Sequence, residues 1–251
     1  MVAIDLNADL GETVDGVPTA DDEAMFAVIT SANVACGGHA GDAASMRDAV
    51  ARAARYGVAV GAHPSYPDRV NFGRVPVAMD PADLAAAVAA QLVALVGAGA
   101  DLRYVKPHGA LYHAVTSDRA HADAVTSAVA ALAERLGRPV PVLGLPGEIE
   151  GAAASRGLPF VREAFLDRGY LPDGSLVPRA QPGALLDEPE LVAARAVRLA
   201  VDGVVEAVDG TLVRADAASL CVHGDSPSAV AMARAVRAAL DAAGVEVRAP
   251  W

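Results

Sequence analysis

Strand-like and helix-like segments alternate along the whole of this chain, and that alternation limits the fold more than any other feature. Residues 2–6 read as a first strand, followed by a polar loop and a helix over 21–29. Residues 31–36 read as a second strand and 42–56 as the next helix, with Asp42 placed as its N-cap. A third strand over 58–62 leads into a long loop at 65–79, and Asp80-Pro81 then opens an Ala-rich helix to about residue 100. Strands are expected at 102–105, 140–143 and 159–161, with a helix over 117–136. A Gly/Pro-rich loop at 169–183 precedes a helix over 188–201, and 204–213 reads as a hairpin turning at Asp209-Gly210. A strand at 219–222, a helix capped by Ser226-Pro227 and running to 243, and a short strand at 245–248 follow. No low-complexity linker or charge block interrupts the pattern. The expectation is one domain over residues 1–251 with a parallel sheet, either closed as a barrel or open.

Composition removes several functional classes. Hydrophobic residues make up 53 %, mostly Ala, Val and Leu, which is ample for a core. Aromatics are only 4 % and the formal net charge is −11, which argues against a nucleic-acid partner. Cys36 and Cys221 form no CxxC pair, so neither a zinc-finger spacing nor a disulfide framework is expected. Residues 1–5 lack the basic-then-apolar signature of a signal peptide. The most apolar stretch, 84–100, is broken by Gln91, Gly97 and Gly99 and reads as a buried helix rather than a membrane span. The cytoplasm is the expected location.

The chemistry-bearing residues collect at one kind of position. Asp9 and Glu12, His39 and Asp42, His63, Lys106 and His108, Arg162 and Glu163, and His223 and Asp225 all follow the C-terminal end of an expected strand. In a parallel barrel those ends converge on one face, where such folds place their active sites. In an open sheet they would spread along one edge. Lys106 is the only lysine among 20 Lys+Arg residues. Arg cannot replace it as a compact ammonium. Of the six histidines, only His121 falls within an expected helix. Simpler readings stand beside these. Asp42 caps a helix whatever else it does, Glu12 suits a turn, and Cys36 fits a buried strand end better than a nucleophile. An Asp/His cluster can bind a divalent metal, or His/carboxylate pairs can act as acid and base without one. Lys106 and the arginines would then face an oxyanion, phosphate or carboxylate. There is no Walker-type phosphate loop, no G-x-G-x-x-G and no G-x-S-x-G elbow.

Taken together, the motifs are specific. Asp5-Leu-Asn-Ala-Asp-Leu-Gly-Glu12, Asn33-Val-Ala-Cys-Gly-Gly-His-Ala-Gly-Asp42, Gly61-Ala-His-Pro64, Val105-Lys-Pro-His-Gly-Ala-Leu-Tyr112, Arg162-Glu163 with Asp167-Arg168, and Cys221-Val-His-Gly-Asp225 resemble the LamB/YcsF family. The resemblance runs in order over nearly the whole chain. Three departures stand out: Gly38 where the family usually has Phe, the long loop around Asn71 where the family usually places a Gly, and Ala43 where Pro is common. They touch the pocket wall and leave every charged or His position in place.

The resemblance implies a TIM-like (β/α) barrel with an irregular strand count, of the glycoside hydrolase/deacetylase kind. It implies cleavage of 5-oxo-L-proline to L-glutamate with ATP hydrolysis, as the A subunit of an ATP-dependent 5-oxoprolinase working with B and C subunits. ATP would be a co-substrate and a divalent metal, Mg or another, an optional cofactor. A homo-oligomer is compatible with it. Carried onto this sequence, the catalytic set is Asp9, His39, His63, Lys106, His108, Glu163, His223 and Asp225. The substrate-binding set is Asn7, Glu12, Asn33, Arg74, Arg162 and Arg168, and the metal candidates are Asp9, His39, Asp42 and His63. Two alternatives are a stand-alone metal-dependent deacetylase or amide hydrolase, and a non-catalytic subunit that presents substrate.

Overall fold

The computed structural model describes residues 2–251. The chain begins with strand β1 (Ala3–Leu10), the hairpin β2 (Thr13–Val14) and β3 (Val17–Pro18), and helix α1 (Asp22–Phe26). It continues through β4 (Ser31–Ala35), α2 (Ala43–Tyr56), β5 (Ala59–His63), α3 (Pro81–Gly97) and β6 (Leu102–Val105). Next come α4 (Gly109–Ser117), α5 (Arg119–Leu136), β7 (Val142–Gly144), α6 (Glu148–Ala154) and β8 (Phe160–Phe165). The remaining elements are α7 (Pro189–Asp202), β9 (Val204–Glu206), β10 (Leu212–Arg214), β11 (Ser219–Cys221), α8 (Ala229–Ala242) and β12 (Glu246–Val247).

The main sheet has the order β11-β8-β7-β6-β5-β4-β1-β12, and β11 also pairs with β1. The ladder therefore returns on itself as a closed parallel barrel of seven strands with flanking helices. That is the TIM-like architecture with an irregular strand count. Registers such as Asp5↔Ser219 and Cys221↔Phe165 set which strand ends lie level.

Contacts divide the chain into two compact units. One holds residues 9–19, 32–161 and 251, and the other residues 2–8, 20–31 and 162–250. In the first, α3 packs on α5, and Leu84, Leu92, Leu95, Val125 and Val129 are buried. In the second, α7 packs on α8, burying Val192, Leu199, Met232 and Val236. Each such side chain contributes about 1.5–3 kcal/mol on leaving water. No helix among the described residues is long and apolar enough to cross a membrane.

The helix signals act as read. Asp42 caps α2 in a reciprocal box with Ser45, and Gly57 ends that helix at φ 68°. Asp80 caps α3 with Pro81 in its first turn. The hairpin at Asp209-Gly210 forms, pairing Val205 with Val213.

Other elements differ from expectation. β1 runs on to Leu10 because Asn7 and Asp9, poor strand residues in isolation, have hydrogen-bond partners on their buried face. β8 likewise extends through Arg162 and Glu163, which lie within the strand rather than after it. The polar stretch after Glu12 is a hairpin whose turn, Asp15-Gly16, takes φ of 51° and 77°. Helices α4 and α6 depart from the sequence pattern, since both start beside Gly in segments rich in turn residues. His113 therefore lies on a helix. The last helix starts at Ala229 with Ser228 at its N-cap position, and no side chain caps it.

Candidate active site

Within the unit holding residues 9–19 and 32–161, the ends of three barrel strands place a dense polar centre. β1 brings Asp9, with Glu12 just beyond it. β5 ends at His63, and Lys106 and His108 follow β6. His39 comes from the loop between β4 and α2. All six are buried, Lys106 to 1 % exposure. Lys106 Nζ lies 3.3 Å from Asp9 Oδ1. Such a pair is sustained only when both charges are satisfied.

The imidazole protons can be assigned from their partners. His63 Nδ1 is 2.8 Å from the Lys106 carbonyl, and His108 Nε2 is 2.9 Å from the Phe72 carbonyl. A carbonyl only accepts, so both of those nitrogens carry the proton. His63 Nε2 and His108 Nδ1, 3.0 Å apart, then face each other as lone pairs when both rings are neutral. Asp9 Oδ2 is 3.3 Å from that His63 nitrogen, and Glu12 Oε1 is 3.6 Å from that His108 nitrogen. Two carboxylates and two lone pairs converge on one place, and a cation there would balance them.

Burial pushes the His108 and His39 pKa well below the ordinary imidazole value, and neighbouring histidines add to that. Neutral imidazoles are the ligand form. Asp9, Glu12, His63 and His108 each offer one ligand atom, all within 4.8 Å of one another. Two imidazoles with two carboxylates suit a borderline ion such as Zn²⁺, or Mn²⁺ held chiefly by the carboxylates, better than Mg²⁺, which keeps to oxygen ligands.

Of the expected metal candidates, Asp9 and His63 belong to this cluster together with Glu12 and His108, while Asp42 and His39 lie outside it. Asp42 is exposed and accepts from the Ala44 and Ser45 amides at 2.8 and 2.9 Å as the cap of α2. His39 lies beside the cluster, its Nε2 donating to Glu12 Oε1 at 3.0 Å and its ring stacked on His108 at 3.6 Å. His39 Nδ1 is buried with no hydrogen-bond partner among the described residues.

Behind the centre, Asn33 Nδ2 donates to Asp9 Oδ1 at 2.8 Å, and the Tyr104 hydroxyl donates to Asn33 Oδ1 at 2.6 Å. Asn33 thus orients Asp9. Above the histidines lies the loop at 65–79. Phe72 takes φ 54°, an uncommon conformation for a bulky residue, and its ring meets His39 and His108 edge-on. Gly73, at φ 63°, passes so close that a Cβ would sit 2.9 Å from His39 Cβ. The loop is fastened at both ends by His121. Its Nδ1 accepts from Tyr66 at 2.7 Å and its Nε2 donates to the Met79 carbonyl at 3.2 Å. Arg74 is exposed, its guanidinium 4.9 Å from the Phe72 ring centroid.

Gly38 explains itself. Gln91 fills the space beside it, accepting from the Ser65 amide at 3.0 Å and donating to the Ser65 carbonyl at 2.8 Å. A Cβ at 38 would lie 2.3 Å from Gln91 Oε1 and 2.5 Å from Ser65 Oγ, so no side chain fits while both hold their places.

The other unit holds a His/carboxylate pair of its own. Asp167 binds His223 Nδ1 at 2.8 Å and the His223 amide at 3.1 Å, and the imidazole stacks on Phe165 at 5.3 Å. Although burial opposes it, the His223 interactions hold the Asp167 carboxyl below its usual range. A carboxylate only accepts, so Nδ1 carries a proton, and in the neutral ring Nε2 would be the nitrogen with base character. Asp167 is absent from the expected site residues, although its place just past β8 is the same strand-end signal.

Asn7 donates to Ser219 at 2.7 Å and to Glu163 at 3.4 Å, and Ser219 donates to Asp5 at 2.5 Å. Asn7 and Glu163 are thus engaged in a buried network. Arg168 serves its own loop. It is buried and donates to the Ala184 and Val177 carbonyls at 3.1 and 2.8 Å, holding its own long loop in place. Arg162 and Asp225 are not buried with these groups. Cys36 is buried and its thiol is pushed up to about 12, which removes it as a nucleophile.

Fold and centre together define a parallel (β/α) barrel with a buried His/carboxylate/lysine cluster at its strand ends. The chain belongs to the LamB/YcsF family, which matches residues 4–250. It is 51 % identical over 252 residues to the 5-oxoprolinase A subunit of Streptomyces griseus subsp. griseus, covering 98 % of this chain and 99 % of that protein. With the 5-oxoprolinase A subunit of Corynebacterium jeikeium it shares 47 % identity over 251 residues, 98 % of this chain and 96 % of that one. Its structure matches the crystal structure of the lactam utilization protein from Thermus thermophilus with a TM-score of 0.91 and 44 % identity, over 98 % of this chain and 99 % of that one.

Proposed function

We propose that this chain works as the A subunit of a 5-oxoprolinase, opening the lactam of 5-oxo-L-proline to give L-glutamate with ATP hydrolysis. We place it in the cytoplasm, acting with partner B and C subunits. Full-length identity near one half to proteins of that name supports the substrate. The observation that carries the chemistry is the convergence of Asp9, Glu12, His63 and His108 beside a buried lysine.

A five-membered lactam is amide-stabilised, so its carbonyl must be activated before water attacks. Transfer of the γ-phosphoryl group to the lactam oxygen, with ADP leaving, makes the ring carbon electrophilic; water then adds, the C–N bond breaks to free the amine, and phosphate leaves. Lys106 supplies a fixed ammonium for the anionic oxygen, held by Asp9 on one side. Phe72 and its loop keep bulk water from the imidazoles. His223, oriented by Asp167, is a base of the correct tautomer to take a proton at Nε2. Asp9, Glu12, His63 and His108 would hold a divalent ion, and the chemistry it supplies when bound is Lewis-acid polarisation of an oxygen.

The test is 5-oxoproline-dependent ATP hydrolysis by the chain alone and mixed with the B and C subunits. Glutamate formed only when this chain is present supports the reading. A silent, well-folded mixture overturns it. The donor set also favours a second reading, metal-dependent amide hydrolysis without ATP. Turnover of N-acetyl compounds by the chain with Zn²⁺ or Mn²⁺ alone would establish it.

A further inference from the structure

Trp251 belongs to the unit that carries the Asp9 centre, and its indole lies against the phenol of Tyr104. The ring centroids are 4.1 Å apart and the planes 18° from parallel. Tyr104 is fully buried in β6. Gly61, its register partner on β5, leaves the space that the ring occupies: a Cβ there would come within 2.2 Å of Tyr104 Cζ. With Gly61 beneath one part of the ring and the indole along its face, the hydroxyl has a single aim.

That aim sets the next two groups. Tyr104 donates to Asn33 Oδ1, so the amide nitrogen of Asn33 must face Asp9. Asp9 Oδ1 then accepts from both Asn33 and Lys106, at 2.8 and 3.3 Å. With Oδ1 held by these donors, Oδ2 is the oxygen turned to His63 Nε2.

We propose that Trp251 is a positioning residue for the Asp9 carboxylate, acting through Tyr104 and Asn33. Without the indole the phenol can tilt, and its hydroxyl leaves the Asn33 oxygen. The Asn33 amide can then turn its oxygen toward Asp9, which repels the carboxylate and swings Oδ2 away from His63. The inference rests on the reading of Asp9 as part of the reacting centre.

Trp251 is the only tryptophan in the chain, so its fluorescence reports the stack without a label. Calorimetric titration with Mn²⁺ and with Zn²⁺ should show wild-type binding accompanied by a change in indole emission. Trp251→Ala should bind about tenfold more weakly, the size expected when an outer support of a ligand is lost. Tyr104→Phe keeps the stack and removes the hydroxyl, so it should weaken binding to a similar extent. Trp251→Phe should restore most of the affinity. In 5-oxoproline turnover by the complete subunit mixture, Trp251→Ala should lower kcat with KM nearly constant.

Unchanged affinity and kcat in Trp251→Ala, or a lowered melting temperature alone, would overturn the proposal. If the Ala variant fails to fold, Trp251→Leu, which keeps apolar volume and removes the aromatic face, decides on the same criteria. Failure of the metal reading is a separate result: the wild type would bind neither ion. The kcat pattern of Trp251→Ala and Tyr104→Phe would then decide for or against the relay by itself.

Discussion

At the scale of single residues, Lys106 carries the sharpest expectation. Its ammonium is buried against Asp9, so truncation removes a charge and leaves a carboxylate behind it. Lys106→Ala should lower 5-oxoproline turnover by about 10²–10³. It should also cost about 3–5 kcal/mol in a urea titration, the usual loss when one partner of a buried pair is removed. Lys106→Arg should not rescue turnover, because a planar guanidinium does not fit a site made for a compact ammonium. Wild-type turnover in Lys106→Arg would remove the lysine from the reaction. Asp167 supplies a pH signature. Its carboxyl is held below the usual value of 3.8 in the folded chain, with His223 as its partner. The stability it contributes is therefore present above the unfolded pKa and is lost as pH falls through the lower folded one. Urea titrations between pH 5 and pH 3, about the span of the unfolded carboxylate pKa, should show a steeper loss for the wild type than for Asp167→Asn. Parallel slopes would mean that the pair adds nothing to folding.

Among the elements, the loop at 65–79 and the segments packed on it show where sequence reading stops. Length alone marks the loop as functional, but not what it does. His121 falls in a helix and so carries no strand-end signal, yet it is the fastening for both Tyr66 and Met79. Nothing in the spacing of residues 66, 79 and 121 announces that triangle. Strand-end counting finds Asp9, His63, Lys106 and His108, because the ends of consecutive parallel strands lie level whatever the loops do. It cannot say that His108 faces His63 or that Asp42 turns away, since those depend on side-chain direction. Gly38 offers a test of packing at this scale. Gly38→Ala should destabilise the chain by about 1–3 kcal/mol, as overpacking in a filled site does. Pairing it with Gln91→Ala should recover part of that loss, the clash with Ser65 Oγ remaining, a coupling that a double-mutant cycle in thermal melts would measure. Additive losses would show that the glutamine is not what excludes a side chain there.

For the whole molecule, the question is why a fold of this kind tolerates so much polarity along its strands. Barrel interiors are commonly layered with branched aliphatics. β1 instead alternates Asp5, Asn7 and Asp9 with Ile4, Leu6 and Ala8, and all six are buried. Alternation of apolar and polar residues reads as a strand with one buried face, which is why the expected first strand stops at residue 6 and the closed barrel is implied only by the family resemblance. The polar half has partners within each unit: Asp5 with Ser31 and Ser219, Asp9 with Asn33 and Lys106. One set gathers more negative character than the rest, the two lone pairs and two carboxylates at His63, His108, Asp9 and Glu12. A cation that binds the folded chain and not the unfolded one stabilises it by mass action, about 2.7 kcal/mol at a hundredfold excess over Kd. Protein stripped with a chelator should therefore melt at a lower temperature and regain stability on adding Zn²⁺ or Mn²⁺, with Mg²⁺ far less effective because two of the donors are imidazoles. His108→Gln should abolish that response while leaving the barrel folded, since the side chain lies at the start of α4 and not within a strand. Identical melting curves for stripped and ion-supplemented wild type would overturn the metal reading of this cluster.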